Sequence, residues 1–144
     1  MKPNVEELKA SSGLRHAYNA VAAVDALAAH IFTWLHKHAP VAVATCKDDT
    51  QYREQLARTS DDFVLLRDLA KALKHVELMW GKPVVTAAAQ LTSRQLGWGA
   101  PWGQKWGRHK QAVLRDNSGK LRLVTTVVAK ALAVLESEMV ARGL

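Results

Sequence analysis

The sequence predicts a mainly α fold: a bundle of three to four helices with a small antiparallel β-hairpin inserted before the last helix. Three observations carry this. Apolar residues recur at steps of three and four over 14–38, 60–80 and 125–142, the spacing of one buried helical stripe. From Pro83 the period changes, and KQAVLRDNSGKLRLV (110–124) sets two apolar-rich runs around an Asn-Ser-Gly turn. The 144 residues are 49% hydrophobic and 23% charged, which suits one domain with its own core. The chain is read as a single domain, 1–144: helical over 1–82, a β and Trp-Gly insertion over 83–124, and a last helix over 125–142.

Each element has its own signal. In 14–38, Leu14, Tyr18, Val21, Val24, Ala28, Ile31 and Leu35 form the stripe. Ser11 and Ser12 offer N-caps, and Pro40 ends the helix behind three late histidines. VAVATC (41–46) reads as a strand or an extended link, and 48–60 as a short helix with acidic residues at its start. In 60–80, Leu66, Leu69, Leu73, Val76 and Trp80 make the apolar side, with Phe63 at its margin. Thr59 and Asp62 resemble a capping pair, and Gly81 and Pro83 stop the helix. The stretch 82–97 opens with Val and Thr and reads as strand. Ala112–Arg115 and Leu121–Val124 are the hairpin arms. Val128, Ala131, Leu132, Leu135 and Met139 turn the last helix to the core.

Composition narrows the function classes. Cys46 is the single cysteine, so no intrachain disulfide forms, and the acidic Asp48 and Asp49 nearby disfavour a reactive thiolate. A buried, inert thiol is expected. The N-terminal MKPNVEELKASSGL lacks the apolar run of a signal peptide, and Val21–Ala29 is far short of the roughly 20 residues that span a bilayer. A soluble cytoplasmic protein without membrane association is the expectation.

The net charge of +7 is unevenly placed. Residues 1–82 hold 11 Lys/Arg against 10 Asp/Glu, whereas 83–144 hold 9 against 3. Arg94, Lys105, Arg108, Lys110, Arg115, Lys120 and Arg122 crowd one region, opposed there by Asp116 alone. Such a region steers anionic partners. The same region holds WGAPWGQKWGRH (98–109), where Trp98, Trp102 and Trp106 recur every four positions. Gly97 just before it, with Gly99, Gly103, Gly107 and Pro101, disfavours a helix, at about 1 kcal/mol per Gly and about 3 for Pro. In an extended chain the three rings share one side. They either cap the core, form a dimer interface, or stack the bases of single-stranded nucleic acid beside Arg108, Lys105 and Lys110. Trp106, nearest the hairpin, is the ring expected to be buried. The expected contact surface is Arg94, Trp98, Trp102, Lys105, Trp106, Arg108, Lys110 and Arg115.

Two other clusters invite chemistry. His30 and His38 share a helical face but lie about 12 Å apart, too far to close on one ion, and His36 points elsewhere. No metal or other cofactor is expected. In LLRDLAKALKHVEL (65–78), Arg67, Lys71 and Lys74 fall on one ridge at helical spacing, opposite the core-packed side. Asp68 and His75 share the neighbouring ridge, and a solvated, charge-paired face accounts for them.

The stretch FVLLRDLAKALKHVEL, with the later Gly-Trp-Gly segment, resembles a group of small uncharacterised bacterial helical proteins carrying an Arg-Asp…Lys-His-x-x-Leu helix. More remotely it resembles the HEPN family, helical bundles that are often dimeric and many of which cleave RNA. The resemblance implies a metal-independent ribonuclease acting as a dimer, with His75 as general acid or base, Arg67 stabilising the phosphorane charge and Asp68 as the polar residue after it. Seven residues separate Arg67 from His75, a longer interval than the family pattern. Two classes therefore stand: a binding or assembly module with a basic, Trp-rich surface for single-stranded nucleic acid or a protein partner, and this ribonuclease. A homodimer is compatible with both, and catalysis is left open.

Overall fold

A computed structural model describes residues 2–11, 13–95 and 110–144. Among these the fold is mainly α, as the sequence predicts: four α-helices, a three-stranded antiparallel sheet placed directly before the last helix, and that helix, one helix more than expected and one strand more than the hairpin alone. Helix α1 (Lys2–Ser11), not singled out from sequence, buries Val5 and Leu8 and packs on the second and last helices. Ser11 ends α1, and Gly13, without a side-chain cap, opens α2 (Leu14–His38).

The predicted stripe of α2 holds from Val21 to Leu35, all buried at Val21, Val24, Ala28, Ile31 and Leu35. At the leading end the buried positions are Ala17 and Ala20, and the expected Leu14 and Tyr18 are exposed. The helix packs there against α1, and alanines let two backbones approach closely. Pro40 starts a 3₁₀ turn (Pro40–Val43) rather than the strand or extended link expected over 41–46. It folds back along α2 and buries Val43.

Helix α3 (Asp49–Ala57) is capped by Asp48, whose carboxylate accepts from Gln51 N at 2.8 Å. Helix α4 (Asp61–His75) is capped by Ser60, which accepts from Phe63 N at 3.3 Å. The expected Thr59–Asp62 cap does not form: the Thr59 hydroxyl donates to Leu56 O, closing α3 instead. Phe63 is fully buried, not marginal.

Helix α4 stops five residues before the expected end. Val76 adopts φ 66°, ψ −46°, and Glu77 N–H donates to His75 O at 2.7 Å, a γ-turn that no helix survives. Val76 and Trp80, expected on the apolar side, are therefore 72% and 90% exposed. The chain then runs out and back as a narrow loop. Leu78 N bonds Thr86 O at 2.6 Å, Glu77 bridges Ala87, and Ala88 N bonds Val76 O at 2.9 Å.

A 3₁₀ turn (Ala88–Gln90) leads to β1 (Leu91–Gln95), so the strand expected from 82 begins only at Leu91. Strands β2 (Lys110–Arg115) and β3 (Leu121–Leu123) form the predicted hairpin, in order β1-β2-β3. Gly119 at φ +86° completes the turn, a conformation that side chains with a Cβ rarely adopt. Helix α5 (Val124–Ala141) buries Val124, Val127, Val128, Ala131, Leu132 and Leu135, with Met139 partly covered. Phe63, Leu66 and Leu69 of α4 and Val21, Val24 and Leu35 of α2 complete the core, which the sheet joins through Leu91, Ala112 and Leu114. Among the described residues no helix is long and apolar enough to cross a membrane.

Candidate functional site

The sheet sorts the basic residues by register. Residues directly opposed across an antiparallel pair lie on one side. Leu91 opposes Leu114, Ser93 opposes Ala112, and Leu114 opposes Arg122, so this side faces the helices. Thr92 opposes Val113, Arg94 opposes Gln111, and Arg115 opposes Leu121 on the other side.

Arg94 and Arg115 thus share one side, both exposed, about 14 Å apart along the strand direction. Thr92 between them is also exposed, whereas Val113 beside it is buried. Lys110 is exposed at the sheet's end but belongs by register to the core-facing side. Trp98, Trp102, Lys105, Trp106 and Arg108, including the expected burial of Trp106, lie outside the described residues.

No acidic residue occurs in the three strands. Asp116, the one acid of the region, is absorbed by the turn. Its Oδ1 accepts from Ser118 Oγ at 2.6 Å, Ser118 N at 3.0 Å and Lys120 N at 2.9 Å. The Ser118 hydroxyl, aided by the two N–H groups and the Arg122 charge, holds this carboxyl below its ordinary value.

The α4 cluster is organised differently from the expected solvated ridge. Asp68 is 2% exposed. Its Oδ1 accepts from Arg67 Nε and Nη2 at 2.9 and 2.8 Å, and its Oδ2 accepts from Val84 N at 2.8 Å. Asp68 is thus a clasp that fastens the far limb of the 76–90 loop to α4. The sequence hides this, because the partner Val84 N–H lies sixteen residues away.

The same limb is also held by Gln90 and Asn117. Gln90 Oε1 accepts from Thr86 N and Ala87 N at 2.7 and 2.8 Å, and its Nε2 donates to Arg115 O at 2.8 Å. Asn117 Nδ2 donates to Pro83 O at 2.8 Å.

Lys74, placed by sequence on the same basic ridge as Arg67 and Lys71, is drawn toward the helices instead. Its ammonium lies 2.7 Å from Oδ2 of Asp25 on α2, a carboxylate only 5% exposed. Arg53 of α3 reaches the same carboxylate: Nε lies 3.0 Å from Oδ1, an ionic contact without hydrogen-bond alignment, and Nη1 binds Asp49 at 2.6 Å. Two acids and two bases close a neutral node across three helices. Sequence reasoning passed over Asp25, although a charge inside the apolar run Val21–Ala29 was its signal.

His75 is exposed at the last position of α4, beside a shallow hollow lined by Glu77, Leu78, Met79 and Trp80. It lies eight positions after Arg67, about 12 Å along one helix, so the two do not converge within the protomer. Among the described residues no three metal-ligating side chains cluster. His36 stacks on Phe32 at 5.8 Å and His38 on Trp34 at 4.7 Å. Cys46 is buried, as expected, and donates to Gln55 Oε1 at 3.1 Å.

Compared with family models, with curated proteins and with solved structures, the chain matches none.

Proposed function

We propose that the chain is a non-enzymatic binding module whose basic sheet surface takes single-stranded nucleic acid. One observation carries the reading: Arg94 and Arg115 stand exposed on one side of a sheet whose strands carry no acid, while Asp116 is engaged in its own turn. Cations without local counter-charges are what a phosphate backbone recruits, and binding then releases counterions. Trp98, Trp102 and Trp106 supply aromatic faces in the same stretch of sequence, each worth about 1–3 kcal/mol against a stacked base.

The test is fluorescence anisotropy of a labelled single-stranded oligoribonucleotide over a salt series. Binding weakens with salt, and Arg94→Gln/Arg115→Gln lowers the slope of log K against log salt by about 1.4, at roughly 0.7 per lost phosphate contact. Binding that is absent, or indifferent to salt, rejects nucleic acid as the partner and leaves a protein partner.

The ribonuclease alternative draws less support. Both Nε and Nη2 of Arg67 are committed to Asp68, and Asp68 to Val84. On our reading the wild-type protein leaves the same oligoribonucleotide uncut. Cleavage that disappears in a folded His75→Ala variant reverses the order of the two readings.

A further inference from the structure

Helix α3 packs on α2 and α4, and α5 on α1, α2 and α4, which leaves α3 and α5 flanking a groove. Its volume is about 570 Å³, inside the range of roughly 300–1,000 Å³ typical of small-molecule sites. Leu56 of α3 and Ala133, Val134 and Ala141 of α5 supply apolar walls. Along α5 the groove runs from Lys130 to Arg142, about 18 Å.

One end of it holds an unsatisfied group. Tyr52 lines the groove, is 2% exposed, and its hydroxyl is buried without a hydrogen-bond partner. A buried polar atom left unpaired is rare in a folded protein and calls for a partner. Glu138 and Arg142, at the end of α5, line the groove together with Tyr52, and their charges act on its hydroxyl. Burial, with the Glu138 charge adding to it, pushes its titration well above the ordinary tyrosine value, so it stays a neutral donor. Phe32 holds the ring from α2, with centroids 5.8 Å apart. Arg142 uses Nε on Glu138 Oε1 at 3.0 Å, and a guanidinium has five N–H groups, so donors are left over at the same end. At the far end Lys130 is paired with Asp62 at 3.2 Å.

We propose that this groove binds a small amphiphilic carboxylate, its acid group between Tyr52 and Arg142 and its apolar body along Leu56 and Val134. An acid suits this end because Arg142 keeps N–H groups to spare, the Tyr52 hydroxyl can donate, and Oε1 of Glu138 is already engaged by Arg142. The site is independent of the sheet surface.

The experiment is isothermal titration of the full chain with octanoate, with octylamine as the opposite-charge probe. Octanoate binds saturably, and octylamine does not. Tyr52→Phe weakens octanoate roughly ten- to 150-fold, the loss expected for one hydrogen bond to a charged group, while its thermal midpoint is unchanged or higher. Val134→Trp, which fills the groove from an accessible helix face, abolishes binding. Arg94→Gln/Arg115→Gln leaves it unchanged, so failure here and failure of the nucleic-acid reading are separable. No saturable octanoate binding, equal binding by Tyr52→Phe, or equal binding of octylamine each overturns the proposal.

Discussion

Replacing Asp68 tests whether one buried carboxylate fastens the 76–90 loop to the bundle. In Asp68→Ala three hydrogen bonds disappear: two from Arg67 and one from Val84 N. Leaving the Val84 N–H without an acceptor costs about 1–3 kcal/mol if water does not reach it. Arg67, whose side chain is 18% exposed, recovers only part of its hydration, adding about 1–2 kcal/mol. The sum is about 2–5 kcal/mol, a large part of the roughly 5–15 kcal/mol that holds a domain folded. Asp68→Asn separates the contributions. An amide has one acceptor and one donor group, so it can serve Val84 N or Arg67 but must present N–H to the other. Its cost is accordingly intermediate, about 1–2 kcal/mol. Urea denaturation gives the order wild type, Asn, Ala, and hydrogen exchange of the Val84 amide accelerates most in Ala. A loss below about 1 kcal/mol in Asp68→Ala, or equal losses in both variants, refutes the clasp.

Three further outcomes follow from the described contacts. Asp25→Ala destabilises by about 2–3 kcal/mol in the same assay, below the roughly 3–5 of a fully buried pair, because Asp49 retains Arg53 and Lys74 returns to water. Asp116 titrates below its ordinary 3.8, so the turn's contribution is fully present above that value and fades as pH falls through the lowered one. Ser118→Ala moves the Asp116 titration, followed by carboxyl NMR, upward toward 3.8, and no movement removes the serine as the main cause. Val76→Gly relieves the φ 66° conformation and raises the unfolding free energy by up to about 1 kcal/mol, whereas Val76→Ala does not.

Much of the helical scaffold was legible because its signals are local. The bounds of α2 at Leu14 and His38 were read from apolar spacing and Pro40, and the hairpin from Asn117, Ser118 and Gly119. Spacing failed where a local pattern was overruled by a distant partner. Val76 and Trp80 continue the apolar step of α4 in sequence, yet the chain leaves the helix at Val76. Contacts from Ala88 to Val76 O and from Val84 to Asp68 hold it in the other conformation. The candidate site was half legible. The excess of cations in 83–144 is a property of composition, but which of Arg94, Lys110 and Arg115 share a side is a property of strand register.

Helix positions, the turn and the asymmetry of charge follow from residues within a few places of one another, where propensity, capping and side-chain period act. The roles of Asp25, Asp68 and Tyr52 do not. Each lies on a helix whose spacing permits either exposure or burial. Packing removed water from all three, and from then on a carboxylate needed Arg53, Lys74, Arg67 or a loop N–H beside it. For Tyr52 packing supplied no partner, and the groove between α3 and α5 is where one fits.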